Sequence, residues 1–273
     1  MKKIIKILAV TVMFFLASCE EVIHVDLETV EPRLVIDASI DCVKGSTGNE
    51  QKIRLSTTTG YYDTTFPIVS GAIITIENSS NVVFDFIETP GTGEYVCNNF
   101  QPVIGETYTL TILLNGEVYI ASETLIASPV LLDEINQNNA GGFGGDEVEI
   151  TSYYQDDGNQ QNYYLYSHKS NRVAFPQYQV ENDENVQGNE ITMIYSNKDL
   201  VAGDVLEIKL YGISKRYYDY FNKILLASGN DDSPFPTTPA AVRGNIVNQT
   251  NFNNYAFGYF RLSEVDIKSY AIQ

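Results

Sequence analysis

The sequence has no tryptophan, two histidines and three cysteines among its 273 residues. That inventory excludes a rich zinc site and haem chemistry, both of which draw on clustered Cys and His. No cofactor and no metal site is expected. Basic residues are scarce as well: 17 Lys and Arg face 35 Asp and Glu, a formal charge of −18. Such a chain is not expected to bind nucleic acid, because phosphate binding needs clustered Lys and Arg. Neither a Gly-x-Ser-x-Gly elbow nor a His-Glu-x-x-His motif occurs. His24 and His168 are isolated, whereas a catalytic His needs an orienting partner and a nucleophile. The chain therefore reads as non-catalytic. A paired-carboxylate hydrolase is the weaker alternative, because the fold and not the spacing sets the distance between two such groups. No repeat of fixed period is present.

What the chain does have is a real core and an address. Hydrophobic residues make up 44% of it, enough to exclude wholesale disorder. Lys2, Lys3 and Lys6 form a basic leader, followed by an apolar run from Ile7 to Leu16. That run is too short to cross a bilayer, which takes ~20 apolar residues, so it reads as an export signal. It ends in Leu16-Ala17-Ser18-Cys19, which has the form of a bacterial lipobox. Cleavage before Cys19 would leave a lipidated N-terminus, and each buried CH2 of the acyl chains contributes ~0.8 kcal/mol of membrane affinity. Residues 1–18 thus read as a lipoprotein signal peptide and 19–32 as a lipidated tether. Removing the signal takes away three lysines and no acid, so the mature chain is still more acidic. Glu20 and Glu21 directly follow the anchor and resemble the short acidic export tags of surface lipoproteins, which points to outward display, with a periplasm-facing outer-membrane lipoprotein as the alternative.

From Arg33 to Leu125 the pattern has period two with turn punctuation, as strands do. Leu34, Ile36, Ala38 and Ile40 share a face, as do Ala72, Ile74 and Ile76, then Val82, Phe84 and Phe86. Tyr108, Leu110, Ile112 and Leu114 lead into Asn115-Gly116, a pair suited to a type I′ hairpin turn. Short strands at this spacing predict an immunoglobulin-like β-sandwich over residues 33–127. Residues 128–145 are rich in Gly, Asn and Gln and read as a linker, with Phe143 expected to pack on a neighbouring sheet. Residues 146–273 read as a second, mainly-β domain with one short helix near 214–228. Ser214 is its N-cap, Tyr217, Phe221, Ile224 and Leu225 follow helical spacing, and Gly229 ends it. Tyr255–Leu262 and Val265–Ile272 read as two closing strands. The fold class expected is all-β.

Four features could carry function. Cys19 is the lipidation site. Cys42 and Cys97 are either a disulfide or two buried free thiols; a bridge would close a loop of roughly 55 residues and contribute ~4 kcal/mol in the chain-entropy model. Asp156, Asp157 and Asn159, like Asp231 and Asp232, fit turn chemistry better than a calcium loop. Tyrosine is in excess, with 14 of 19 in the second half. In the first half, Tyr61, Tyr62 and Phe66 lie in a long aromatic loop, an expected interaction loop since rings bury much area at low entropic cost.

The order of short motifs also suggests a family. The lipobox and acidic tether precede Glu31-Pro32-Arg33-Leu34-Val35-Ile36, then Tyr61-Tyr62-Asp63 and Phe66-Pro67-Ile68-Val69-Ser70-Gly71-Ala72. Gly105-Glu106-Thr107-Tyr108-Thr109-Leu110, Asn162-Tyr163-Tyr164, Tyr217-Tyr218-Asp219-Tyr220 and Phe257-Gly258-Tyr259-Phe260 complete the series. Over essentially the whole mature chain this resembles an uncharacterised Bacteroidetes outer-membrane lipoprotein family, domain of unknown function four-two-four-nine. The resemblance implies an all-β protein encoded near Sus-like TonB-dependent transporters and brings no catalytic residues with it. The functional expectation is a non-catalytic, surface-exposed outer-membrane lipoprotein that serves as accessory or ligand-binding partner of such a transporter, with the ligand unassigned. An adhesin or structural surface lipoprotein is the alternative. The anchor has a direct test: Cys19→Ala should yield an unacylated protein in the soluble fraction, and a variant still recovered with membranes would overturn the lipobox reading.

Overall fold

The alternation that begins at Leu34 is realised in strand β1 (Leu34–Val43), whose Ile36, Ala38, Ile40 and Cys42 are buried while Asp37 and Val43 face water. The same two-residue period drives β2 (Gln51–Thr57), β3 (Ile73–Asn78), β4 (Val83–Thr89), β5 (Glu94–Cys97), β6 (Thr107–Leu114) and β7 (Glu117–Thr124). Strand side chains point alternately to opposite faces, so one apolar row per strand suffices to fill a sandwich. Strands β6 and β7 meet at the expected hairpin, with Asn115 at φ 52° and Gly116 at φ 82°. These backbone angles are the pair a type I′ turn requires. A computed structural model describes residues 31–60, 63–228 and 241–273 of the chain.

Strand β4 makes the first sandwich. Its Val83–Phe86 pair with β3, and its Ile87–Thr89 pair with β5. The strand thus passes from one layer to the other, and the sheet curls over a core that includes Ile36, Ile53, Phe84, Tyr95, Phe100, Tyr108 and Phe260. The result is the expected immunoglobulin-like β-sandwich.

The segment read as a linker, residues 128–145, is mostly a strand, β8 (Leu131–Gly141). Its Asn and Gln side chains point outward or pair with the C-terminus, and its backbone is satisfied by β9 (Glu147–Gln155). Gln137 donates from Nε2 to the Gln273 carbonyl at 3.0 Å and accepts the Gln273 N–H at 2.9 Å. Composition misled because an outer strand with one wet face needs few apolar residues. Phe143, expected to pack on a sheet, is fully exposed in the turn after β8.

Strand β9 joins β8 and β12 (Glu190–Asn197) in a three-stranded sheet. This sheet covers β10 (Tyr163–Ser170) and β13 (Val205–Ile213), burying Tyr154, Tyr164, Tyr166, Tyr195, Leu206 and Ile208 in a second core. Helix α1 (Lys215–Ala227) packs on the opposite face, where Tyr217 meets Leu165, Tyr211 and Tyr259. Ser214 caps it by accepting the Tyr217 N–H at 3.1 Å. The helix ends at Ser228; Gly229, the expected terminator, lies outside the described residues.

The two closing strands read from the sequence are one. Strand β15 (Phe257–Ala271) runs parallel to β1 from Phe257 to Val265, and antiparallel to β13 from Val265 to Ala271. It lies mid-sheet in the order β11-β10-β13-β15-β1-β2-β5-β4-β3-β6-β7-β14, where β11 is Gln177–Asn182 and β14 is Val247–Asn248. The C-terminal part of the chain therefore also completes the first sandwich. Pro32–Gln273 form one compact unit, and among its described residues lie three apolar clusters: one in each sandwich and one under α1.

Two glycines allow the close crossings. A Cβ on Gly212 would lie 1.8 Å from the Ala127 carbonyl oxygen, where residues 126–131 pass over β13 and β15. Gly258 has φ +97° and a Cβ there would lie 1.9 Å from the Ile36 carbonyl oxygen. Gly258→Ala should cost on the order of 3 kcal/mol, combining backbone strain with a forced separation of β1 and β15. Gly116→Ala shares the positive φ but meets nothing within 4 Å, so it should cost only about 1 kcal/mol. Equilibrium denaturation of both variants checks this; equal losses would show that the β1–β15 approach does not matter.

Candidate functional site

Among the described residues, strand β15 brings the one cationic side chain into a wall otherwise made of aromatic, aliphatic, Ser and Asp residues. Phe260 and Leu262 point into the first core, so Tyr259 and Arg261 point to the other face. In register beside them stand Asp37 and Ser39 of β1, opposite Tyr259 and Arg261 respectively. Helix α1 roofs this face with Tyr217, Tyr220, Phe221 and Ile224, residues at the i, i+3, i+4 and i+7 spacing of one helical stripe. Tyr178 of β11 and Tyr211 of β13 complete a cleft of about 420 Å³. That volume lies within the range of small-molecule sites, ~300–1,000 Å³.

The rings hold one another in place. Tyr217 meets Tyr259 edge-on at 4.9 Å and stacks on Phe221 at 5.5 Å, while Tyr220 lies 4.7 Å from Tyr259. The Tyr259 hydroxyl donates to Glu123 Oε2 at 3.0 Å, and Ser214 Oγ donates to the same oxygen at 3.1 Å. Glu123 belongs to β7, so the helix start, the central strand and the first sandwich share one buried carboxylate.

Arg261 is the unusual member. Its side chain is 5% exposed, and Nη2 donates to Asp41 Oδ1 at 2.6 Å. The guanidinium carbon sits 5.0 Å from the centre of the Tyr211 ring and 5.3 Å from that of Tyr217, within cation–π range. Among the described residues, Nε and Nη1 have no hydrogen-bond acceptor. Burial by itself would push the guanidinium pKa down, but the Asp41 carboxylate together with the Tyr217 and Tyr211 hydroxyls outweighs it and holds the pKa up. The group therefore stays charged with donors to spare. The cleft offers aromatic faces, unused N–H donors and the acceptors of Asp37 and Asp41, an arrangement that can bind and orient a ligand with polar oxygens and a flat or apolar face.

The residues singled out in the sequence fall elsewhere. Cys19, Tyr61, Tyr62, Asp231 and Asp232 lie outside the described residues. Phe66 is exposed at the surface of the first sandwich. Cys42 and Cys97 form no disulfide; both are buried free thiols. They sit on β1 and β5 with β2 between them, two strand spacings or about 10 Å apart, beyond the ~4.4–6.8 Å Cα separation a disulfide tolerates. Burial, reinforced by Asp41 and Glu264, pushes the Cys42 thiol up to about 12, so it is inert at neutral pH. Asp157 accepts the Asn159 N–H at 3.1 Å, as turn chemistry predicts. Arg261 and Asp41 gave no sequence signal apart from a basic residue placed between Phe260 and Leu262 in an apolar run.

The fold and cleft define a mainly-β sandwich protein with a buried, half-satisfied arginine under an aromatic helix. The chain belongs to the family described as Domain of unknown function (DUF4249), whose model matches residues 20–269. No curated protein matches it. Among solved structures it is similar to a two-domain fibronectin type-III segment of chicken tenascin, with 12% identity over 66% of this chain and 90% of that one at a TM-score of 0.21. It is also similar to a DUF4785 family protein from Legionella pneumophila, with 11% identity over 66% of this chain and 52% of that one at a TM-score of 0.26.

His168 has a structural role with a pH consequence. It is 2% exposed and stacks on Tyr195 with ring centres 5.5 Å apart. Burial pushes its pKa down from 6.5 to about 4. The unfolded chain therefore takes up a proton below about pH 6.5 that the folded chain refuses until about pH 4. Stability should be complete above pH 6.5 and fall by up to about 3 kcal/mol as the pH drops to 4. Denaturation at pH 7, 5.5 and 4 checks this: His168→Phe should flatten the slope, and an unchanged slope would assign it to other groups.

Proposed function

We propose that the protein is a non-catalytic, lipid-anchored outer-membrane accessory protein, displayed at the cell surface, that holds a ligand in the Arg261 cleft for a TonB-dependent transporter. The observation that carries this reading is Arg261: a buried cation in the wall of a 420 Å³ aromatic cleft, with Nε and Nη1 lacking acceptors among the described residues. A buried donor without an acceptor costs about 1–3 kcal/mol, a cost that a bound ligand oxygen would offset. The tyrosine rings supply area at low entropic cost, as in recognition surfaces generally. Leu16-Ala17-Ser18-Cys19 supports the membrane anchor, and the motif resemblance supports the transporter as partner.

A second reading, adhesin or structural surface protein, draws on one feature. Ile73 and Leu113 lie directly opposite each other on β3 and β6 and are exposed, and Ile87 and Phe66 are exposed too. An exposed apolar pair such as Ile73 and Leu113 suits a protein contact.

Affinity capture of the acylated protein from detergent-solubilised outer membranes separates the two. A TonB-dependent transporter recovered in near-equal amount, with a small molecule released on denaturation, is the expected result. Arg261→Met should keep the transporter and lose the small molecule. Capture of the protein with neither would overturn the accessory reading and leave the adhesin one.

A further inference from the structure

A second cleft, chemically opposite to the first, opens at the far side of the second sandwich. It lies between two strand edges: β11, the outer edge of the large sheet, and β12, an edge of the three-stranded sheet. Its volume is about 460 Å³. Tyr154, Tyr166 and Met193 form the base, and the two tyrosine hydroxyls are hydrogen-bonded to each other at 2.7 Å. The walls carry Glu181, Asp183 and Glu190 and contain no Lys or Arg. Among the described residues, no ion pair uses any of these three carboxylates.

Asp183 makes this more than an acidic patch. It is 2% exposed, its Oδ2 accepts the Asn162 N–H at 2.8 Å, and its Oδ1 has no partner among the described residues. The neighbouring Asp156 shows what a completed carboxylate looks like in this corner. It is also buried, but one oxygen accepts the Tyr164 hydroxyl and the other accepts the Gly188 N–H at 2.7 Å. That second bond ties down the 183–189 loop that closes one end of the cleft. Desolvation also raises the Glu181 carboxyl pKa, and no nearby cation opposes the shift.

A buried, unpartnered carboxylate oxygen is costly unless a cation or donor reaches it. Among the described residues, no group of three His, Cys, Asp or Glu is placed to hold a metal ion. Only one Asp183 oxygen is free, so the planar two-donor fork of a guanidinium would find half its acceptor taken. A compact ammonium, a point donor, fits a single oxygen. The aromatic base suits the alkyl part of such a ligand and attracts its charge. We infer that the cleft between β11 and β12 is a binding site for an aliphatic primary amine, whose ammonium donates to Asp183 Oδ1. Glu181 and Glu190 set the local field that draws the cation in. The site shares no lining residue with the Arg261 cleft and does not depend on the membrane anchor or on a transporter.

The test uses the full-length lipoprotein in detergent micelles and 1,5-diaminopentane as probe, read by titration calorimetry at low salt. The expected result is one saturable site on the wild type, with 1-pentanol giving no heat of binding. Asp183→Asn should weaken the amine by at least about tenfold, since hydrogen bonds to charged groups are worth more than neutral ones. Gln179→Lys should weaken it as strongly without touching a buried group. Gln179 is exposed on β11, pairs with Tyr166, and so points its side chain into the cleft mouth, where a built-in ammonium competes. Arg261→Met should leave amine binding unchanged, which separates this site from the cleft of the proposed function. No saturable binding to the wild type, or equal binding to wild type and Gln179→Lys, would overturn the inference. So would calcium displacing the amine at equal concentration, which would mark the site as one for inorganic cations.

Discussion

Strand β15 holds the molecule together. Its backbone is bonded to β1 along one stretch and to β13 along the next, so fifteen residues near the C-terminus join the first sandwich to the second. The parallel pairing with β1 links residues more than two hundred positions apart, and it can form only when nearly the whole chain is present. Such non-local pairing is costly in loop entropy and slow to form, but once made it fixes the spacing of everything on either side. Gly258 permits the approach, and the Ser263 bridge to Ile126 fastens the crossing segment to the same strand.

The Arg261 cleft is a consequence of that pairing. Arg261 and Asp41 meet because β15 and β1 run side by side in register, and the guanidinium is buried because α1 packs its aromatic stripe over the seam. An ion pair in such a place is a weak source of stability, since desolvation offsets most of the Coulomb attraction. Its value here is positional: it keeps a permanent charge beneath a layer of tyrosines. The second cleft, between β11 and β12, arises at the other side of the same architecture, where the second sandwich leaves two edges unpaired. One chain thus presents a buried cation with spare donors in one cleft and a buried anion with a spare acceptor in another.

Much of the fold was legible in local pattern. The alternating rows of β1 to β7, the Asn115-Gly116 hairpin and the Ser214-capped helix follow from side-chain periodicity, turn backbone requirements and capping, all short-range effects. The misreadings share a cause. Residues 128–145 looked like a linker because composition registers what a segment can bury and is blind to a partner strand that satisfies its backbone. The break assumed between Leu262 and Val265 is absent because Ser263 and Glu264 are polar for reasons of their own: Ser263 pairs with Ile126, and Glu264 binds Lys44 and the Ser128 N–H.

The candidate site was far less legible. An arginine in an apolar strand has no local signature, and its partner Asp41 is one acid among 35. The sequence by itself determined the strand rows and the helix, because each rests on interactions within a few residues, and the acidic charge, which is a count of side chains. Only the tertiary structure decided that Cys42 and Cys97 stand apart, that Arg261 is buried against Asp41 with donors unused, and that Asp183 keeps a free oxygen in an acidic cleft. Those outcomes depend on which strands become neighbours and in what register, and register is set by the burial of the whole chain at once.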